Sequence, residues 1–130
     1  MTGNDDLIQG LAARWNEADE ERFLELFHPD IEFGSSESWP ENEQVTGLAA
    51  VRAFWHEFRS VWDEISLEVR EVRGSREVQV GRCDWLTRGR VSGAESTMEF
   101  YVALWRRGEL IGKGQFFDSF EEALEAASLS

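Results

Sequence analysis

The stretch STMEFYVALWRRGELIGKGQFFD (residues 96–118) gives the strongest indication of β-structure, because strand-forming residues stand on both sides of a short polar connection. Residues 96–106 and 109–118 carry many aromatic and aliphatic side chains, which is typical of β-strands flanked by turn residues. Gly108 can adopt the left-handed backbone conformation that a tight connection requires. The stretch therefore predicts two antiparallel strands joined as a hairpin, with residues 106–108 as the turn.

The spacing of apolar residues divides the rest of the chain into helices and strands. Helices are predicted for residues 4–18, 19–27, 47–62 and 119–127. Strands are predicted for residues 30–33, 65–72 and 77–88, before the two strands of the hairpin. This order predicts an α+β fold, with helices on the concave face of a curved antiparallel sheet.

Residues at the helix ends support these boundaries. Asn4 and Asp19 can cap the first two helices, and Ser119 and Glu122 have the spacing of a capping box. Pro29 is expected to end the second helix, because the residue before a proline is pushed out of the helical region.

Composition limits the class of protein. The 130 residues suit one domain, predicted to span 1–130, and the formal net charge of -13 excludes nucleic acid and anionic membranes as partners.

Cys83 is the one cysteine, so no internal disulfide can form, which fits the cytoplasm. The acidic N-terminus does not match a signal peptide, and no stretch approaches the ~20 apolar residues of a membrane helix. The 6 Trp and 9 Phe predict a large aromatic core or an aromatic cavity.

The segment LFHPDIEF (residues 26–33) combines a histidine with two carboxylates, as metal sites do. His28 would leave a helix, whereas Asp30 and Glu32 would share one face of a strand, so the three do not converge as ligands must. We interpret the segment as a helix end followed by a strand start. No metal and no cofactor are predicted.

Residues 15–33, 47–58 and 105–127, in this order and spacing, resemble the nuclear transport factor 2-like superfamily in its SnoaL-like branch. The resemblance implies a cone-shaped α+β barrel that encloses a pocket and often dimerises through its outer sheet face. The superfamily includes ketosteroid isomerases, polyketide cyclases, epoxide hydrolases, dehydratases and non-catalytic binding modules, so the fold alone does not give the function.

Matching to the isomerases argues against their reaction here. Their general-base aspartate falls on Ser35, their first-helix tyrosine near Leu11, and their late acidic donor on Tyr101. A serine cannot take a proton at neutral pH without a partner base. The paired aspartates and bridging arginine of an epoxide hydrolase are not found either.

The same matching predicts which side chains enter the pocket. If Tyr101 points inward, Glu99 does too, and the predicted turn places Lys113 opposite Tyr101 and Gln115 opposite Glu99. Asp118 is a further acid/base candidate, with capping of the last helix as the alternative. The predicted catalytic residues are Tyr101, Lys113, Glu99 and Asp118, and the predicted ligand-binding residues are Trp55, Phe58, Trp62, Trp85, Trp105, Gln115 and Phe117. A register shift of one residue would move Lys113 and Gln115 to the surface.

These residues predict a protein that binds a small apolar or aromatic molecule, or a cofactor-independent isomerase, cyclase or hydrolase. The alternative is a non-catalytic protein-interaction module with a filled interior that uses its outer sheet face. A cytoplasmic homodimer is predicted, because Val78, Val80, Phe100 and Val102 are expected to point outward and are too apolar for solvent.

Overall fold

The computed structural model describes residues 6–35 and 45–128, which form four helices and six strands. In chain order these are α1 (Leu7–Glu17), α2 (Glu20–Leu24), β1 (Phe27–Ser35), β2 (Val45–Thr46), α3 (Leu48–Ser60), β3 (Trp62–Gly74), β4 (Val78–Gly89), β5 (Glu95–Arg107), β6 (Leu110–Phe117) and α4 (Phe120–Ala126). The strands form one curved, unclosed sheet in the order β2-β1-β6-β5-β4-β3. The predicted α+β class is confirmed.

One strand pairing departs from the predicted antiparallel sheet. β1 runs parallel to β6, while the other neighbours are antiparallel. The parallel pairing follows from chain order, because helix α3 and four strands separate β1 from β6 and return the chain in the same direction.

Helix starts follow the predicted capping chemistry where the structure describes them. Asp19 accepts a hydrogen bond from the Arg22 backbone N–H at 3.3 Å, and Ser119 accepts one from the Glu122 N–H at 3.1 Å. The cap of α1 is Asp6, and the predicted cap, Asn4, lies outside the described residues.

The second helix ends earlier than predicted. α2 stops at Leu24, and Pro29 lies inside β1. The Ile111 N–H donates to the Leu26 carbonyl at 2.8 Å, so the chain joins β6 before it reaches the proline. Sheet pairing, rather than Pro29, therefore sets this boundary.

Helices pack on both faces of the sheet, which corrects the prediction of helices on the concave face alone. α1 and α3 cover the concave face, where Trp15 is 1% exposed. α4 covers part of the convex face, and its Ala123 packs against the buried side chains of Val80, Ala103 and Phe117. Strands β4 to β6 are therefore apolar on both faces.

The register of β5 differs from the predicted one by one residue. Phe100 and Val102 belong to the core on the concave side, whereas Tyr101 and Ala103 lie under α4 on the convex side. Because α4 covers the outward side of this strand, that side is apolar too. Alternation of polar and apolar residues therefore cannot indicate which face points inward.

The hairpin turn also differs from the predicted one. Arg107 pairs with Leu110 around a turn formed by Gly108 and Glu109, and Gly108 has the expected positive φ of 65°. A register irregularity follows between Trp105 and Arg106. Among the described residues, no helix is long and apolar enough to cross a membrane.

Candidate functional site: an aromatic groove above a small apolar cavity

A small cavity lies between the concave face of the sheet and helices α1 to α3. Its volume is about 60 Å³, and the side chains around it are almost all apolar, among them Leu11, Trp15, Val51 and Leu104. An apolar cavity that accepts benzene measures about 150 Å³. As it stands, the cavity could therefore hold only one end of an aromatic ligand.

Five aromatic side chains form a layer beside this cavity, and we call them the ring closure: Phe54, Phe58, Trp85, Phe100 and Phe116. Each packs against two of the others, with centroid distances of 5.3 Å (Phe54–Phe58), 4.8 Å (Phe58–Trp85), 5.0 Å (Trp85–Phe100), 5.7 Å (Phe100–Phe116) and 6.2 Å (Phe116–Phe54). They come from α3, β4, β5 and β6. The closure is therefore a continuous circle of rings contributed by four elements.

The rings of the closure fall into two stacked groups. Phe54 stacks on Phe58 and on Phe116, and Trp85 stacks on Phe100. The groups meet edge to face at two junctions, Phe58–Trp85 and Phe100–Phe116. One aromatic contact contributes about 0.5–1.5 kcal/mol beyond its buried area, so these contacts add to the stability of the closure.

An open groove of about 440 Å³ lies on the other side of the ring closure. All five closure rings line it, together with Trp62, Met98 and Phe117. Its polar boundary consists of Glu99, Tyr101 and Asp118. An aromatic floor with a few polar groups at one side is the usual composition of a small-molecule site.

The polar boundary contains a phenol–carboxylate pair. The Tyr101 hydroxyl donates a hydrogen bond to the Glu99 carboxylate. This hydrogen bond is the main cause that raises the pKa of Tyr101 above its ordinary value of 10.0, with burial and the charge of Glu99 adding to it. The pair can hold a proton between two oxygens and can offer a ligand one donor and one acceptor.

Three of the four predicted catalytic residues meet at this groove, although not as predicted. Glu99, Tyr101 and Asp118 form the polar boundary of the groove rather than the inside of the cavity. Lys113 is exposed on the convex face, with its ammonium 4.8 Å from the ring centroid of Trp105. The predicted pairing of Tyr101 with Lys113 is wrong, because Tyr101 lies opposite Phe117 and Lys113 lies opposite Trp105. The roles of these residues in catalysis stay predictions.

The predicted ligand-binding residues divide in the same way. Phe58, Trp62, Trp85 and Phe117 line the groove, and Gln115 borders the cavity. The other two predicted positions are placed elsewhere: Trp55 is buried against Trp15 and Phe23, and Trp105 packs on the convex face. Gln115 lies opposite Ala103 rather than Glu99.

Sequence reasoning missed three rings of the closure, Phe54, Phe100 and Phe116. Phe100 and Phe116 lie on the faces of β5 and β6 that the prediction turned outward, because Tyr101 and its partners in β6 were expected to point inward. A usable signal was present for Phe54, which lies one helical turn before the predicted Phe58 and therefore shares its side of α3.

A guanidinium group packs against the core behind the ring closure. The Arg59 guanidinium lies 4.7 Å from the Trp15 ring centroid and 4.4 Å from that of Trp55, and it donates to the Trp15 carbonyl at 3.1 Å. Burial lowers the pKa of the Arg59 guanidinium below its ordinary value. Within the described residues the Trp15 indole N–H has no hydrogen-bond acceptor, and aromatic rings surround it. The cation–π contacts attach the end of α3 to α1.

The segment around His28 has a local structural role. Its Nδ1 accepts a hydrogen bond from the Asp30 backbone N–H at 3.0 Å. In the part of the chain that the structure describes, no three His, Cys, Asp or Glu side chains are grouped as metal ligands. The absence of a metal stays a prediction.

A family model described as a SnoaL-like domain matches residues 8–113 of this chain. No curated protein matches the sequence. Wild-type IdmH, a candidate polyketide cyclase from Streptomyces antibioticus, superposes with a TM-score of 0.76 at 15% identity, and the match covers 98% of this chain and 100% of IdmH.

Two further solved structures share the fold and carry small ligands. A protein of ketosteroid isomerase-like fold from Catenulispora acidiphila DSM 44928, in complex with trimethylamine, has a TM-score of 0.73 at 14% identity over 96% of this chain and 94% of its own. A Mycobacterium tuberculosis protein in complex with estradiol-17β-hemisuccinate has a TM-score of 0.70 at 16% identity, covering 88% and 92%. At these identities the likeness establishes the fold alone.

Proposed function

The chain belongs to the SnoaL-like domain family, and on that premise we propose that it binds a small apolar or aromatic molecule in the groove above the ring closure. The observation that carries the proposal is the groove itself, about 440 Å³ of open space over an aromatic floor. Ligand sites commonly measure about 300–1,000 Å³ and combine apolar walls with a few polar groups. The trimethylamine and steroid complexes of proteins with this fold support a small organic ligand.

The test is quenching of tryptophan fluorescence by the neutral probe N-phenyl-1-naphthylamine. Trp62 lines the groove, whereas Trp105 lies on the convex face, so the two provide a matched pair of variants. Trp62→Phe should remove a large part of the quenching, and Trp105→Phe should leave it almost complete. Equal effects of the two substitutions, or no quenching in the unmodified protein, would refute the groove as the site.

The specific observation in favour of an enzyme is the hydrogen bond between Tyr101 and Glu99 at the edge of the groove. A carboxylate in this position can accept a proton from a bound ligand and return it elsewhere, which is the chemistry of a cofactor-independent isomerase or cyclase. Asp118 on the same side of the groove offers a second carboxylate. Under this reading Glu99→Gln abolishes turnover.

The structure weakens the argument for an interaction module that uses the outer sheet face. Of the four apolar residues expected to point outward, Phe100 and Val102 face the core, and Val80 is fully buried beneath α4. The remaining convex surface carries ion pairs such as Arg82–Glu71, at 3.3 Å. The cytoplasmic homodimer stays a prediction, and its original reason, an exposed apolar sheet face, does not hold.

A further inference from the structure

The polar side of the groove carries negative charge. Its boundary residues are two carboxylates, Glu99 and Asp118, and one hydroxyl, that of Tyr101. Among the groove-lining residues that the structure describes, none is lysine, arginine or histidine. The other lining side chains are apolar, and most of them are aromatic. A molecule in the groove therefore meets carboxylates at one side and rings elsewhere.

Glu99 keeps its charge at this boundary. It is exposed, and its carboxylate accepts a hydrogen bond from the Tyr101 hydroxyl. A phenol is a neutral donor, so this hydrogen bond does not neutralise the carboxylate. Within the described residues, no lysine, arginine or histidine forms an ion pair with Glu99.

The nearest arginines are paired with other carboxylates. Arg70 contacts Glu68 with Nη1 at 2.7 Å and Asp84 with Nε at 3.3 Å. Arg82 contacts Glu71 with Nη2 at 3.3 Å. Neither arginine borders the groove, and each acts on its polar side only through space.

Glu99 is also the last member of a row of three carboxylates across the sheet. Glu68 of β3 lies opposite Asp84 of β4, and Asp84 lies opposite Glu99 of β5. Like charges directly opposite each other destabilise a sheet. Arg70 compensates the first two members, whereas the third, beside the groove, has no such partner. A cation bound next to Glu99 would relieve the remaining repulsion.

We propose that the ligand of the groove is an organic cation. Its aromatic or alkyl body lies on the rings, and its protonated amine or quaternary ammonium group lies at Glu99 and Asp118. The inference rests on the proposed function and specifies the class of its ligand. The aromatic floor suits the same charge, because the face of an aromatic ring attracts cations.

The groove suits an organic cation better than a metal ion or an anion. In the described part of the chain, no three His, Cys, Asp or Glu side chains are grouped as metal ligands. A calcium ion takes 6–8 oxygen ligands, which two carboxylates and a phenol beside an apolar floor do not supply. An anion would meet like charge at the one polar side of the groove.

Three naphthalene compounds of similar size and different charge test the proposal. They are 1-naphthylmethylammonium, 1-naphthalenemethanol and 1-naphthoate, and each is used to displace N-phenyl-1-naphthylamine from the full-length protein at neutral pH and constant ionic strength. The ammonium compound should bind roughly fivefold or more tightly than the alcohol, a factor that corresponds to about 1 kcal/mol. The carboxylate compound should bind most weakly.

A pair of variants separates the charge at the groove from the net charge of -13. Glu99→Gln keeps an acceptor for the Tyr101 hydroxyl but removes the charge, so most of the preference for the ammonium compound over the alcohol should be lost. Glu109→Gln makes the same substitution at an exposed residue in the turn at the other end of β6 and should retain the preference. Circular dichroism verifies that both variants are folded, and the comparison of compounds on the unmodified protein does not depend on them.

The outcomes separate the class of ligand from the proposed function. An alcohol that binds as tightly as the ammonium compound would overturn the organic cation while binding in the groove stands. An equal loss of preference in Glu99→Gln and Glu109→Gln would overturn it too, as would a bound probe that none of the three compounds displaces. If N-phenyl-1-naphthylamine itself does not bind, the proposed function fails, and the inference fails with it.

Discussion

Tyr101 is the one tyrosine of the chain, so its ionisation can be read directly from the ultraviolet absorbance of tyrosinate. Its hydrogen bond to the Glu99 carboxylate stabilises the protonated phenol and raises the pKa of Tyr101 above 10.0. We expect a titration midpoint above that value in the folded protein, and Glu99→Gln should lower it towards 10.0. A midpoint that does not respond to Glu99→Gln would show that the two side chains do not interact in solution.

Cys83 is fully buried, and burial, with the nearby Asp84 carboxylate as a second cause, raises the pKa of its thiol from 9.0 to about 12. Between these two values the unfolded chain loses the thiol proton and the folded chain keeps it. Stability is therefore unaffected below about pH 9 and falls as the pH rises towards 12, by about 1.4 kcal/mol for each unit of the shift.

Urea unfolding at pH 8 and at pH 10.5 measures this loss. Cys83→Ala should show a smaller decrease between the two conditions, because alanine has no proton to lose. In the folded unmodified protein the thiol should not react with disulfide reagents at neutral pH, since it is buried and protonated. Rapid labelling without unfolding would contradict the placement of Cys83.

At the scale of elements, the sequence predicted where helices and strands lie better than which way they face. Asp19 and Ser119 correctly indicated two helix starts, because capping is a local interaction between neighbours in the chain. The inward face of β5 depends on a distant element, since α4 buries Ala103 as completely as the core buries Val102. Glu99 and Tyr101 therefore border the groove although the predicted orientation of their strand was wrong.

The free edge of β3 is protected by one side chain of α1. The Asn16 amide donates to the Leu67 carbonyl and accepts from the Leu67 N–H, both at 2.8 Å, as a neighbouring strand would. Such edges otherwise pair with other chains. Asn16→Ala should lower the free energy of unfolding by about 1–3 kcal/mol, the usual value of two hydrogen bonds, and promote self-association.

Urea denaturation and size-exclusion chromatography with light scattering measure the two effects. Gln9→Ala is a suitable control, because Gln9 is an exposed residue of the same helix and its side chain does not pair with the sheet edge. If Asn16→Ala and Gln9→Ala behave alike, the pair of hydrogen bonds at Leu67 does not contribute measurably, and the edge is protected by other means.

For the whole molecule, the dominant long-range feature is 26 acidic against 13 basic residues. Surface ion pairs such as Arg88–Glu64, at 2.8 Å, contribute attraction that salt weakens, but exposed pairs are each worth only about 0–1 kcal/mol. Repulsion among the excess carboxylates acts over longer distances, and folding increases it by bringing the charges together. Repulsion should therefore decide how stability responds to salt.

We expect the melting temperature to rise as sodium chloride increases from about 0.01 M to about 0.15 M, where the Debye length falls from roughly 30 Å to roughly 8 Å. Differential scanning calorimetry at fixed protein concentration measures it. Glu121→Gln removes an exposed charge from the first turn of α4 and is a control. The substitution reduces repulsion but also removes the favourable interaction of this carboxylate with the helix dipole, which limits the gain in melting temperature. A melting temperature that falls with salt would mean that attraction in the surface ion pairs outweighs net repulsion.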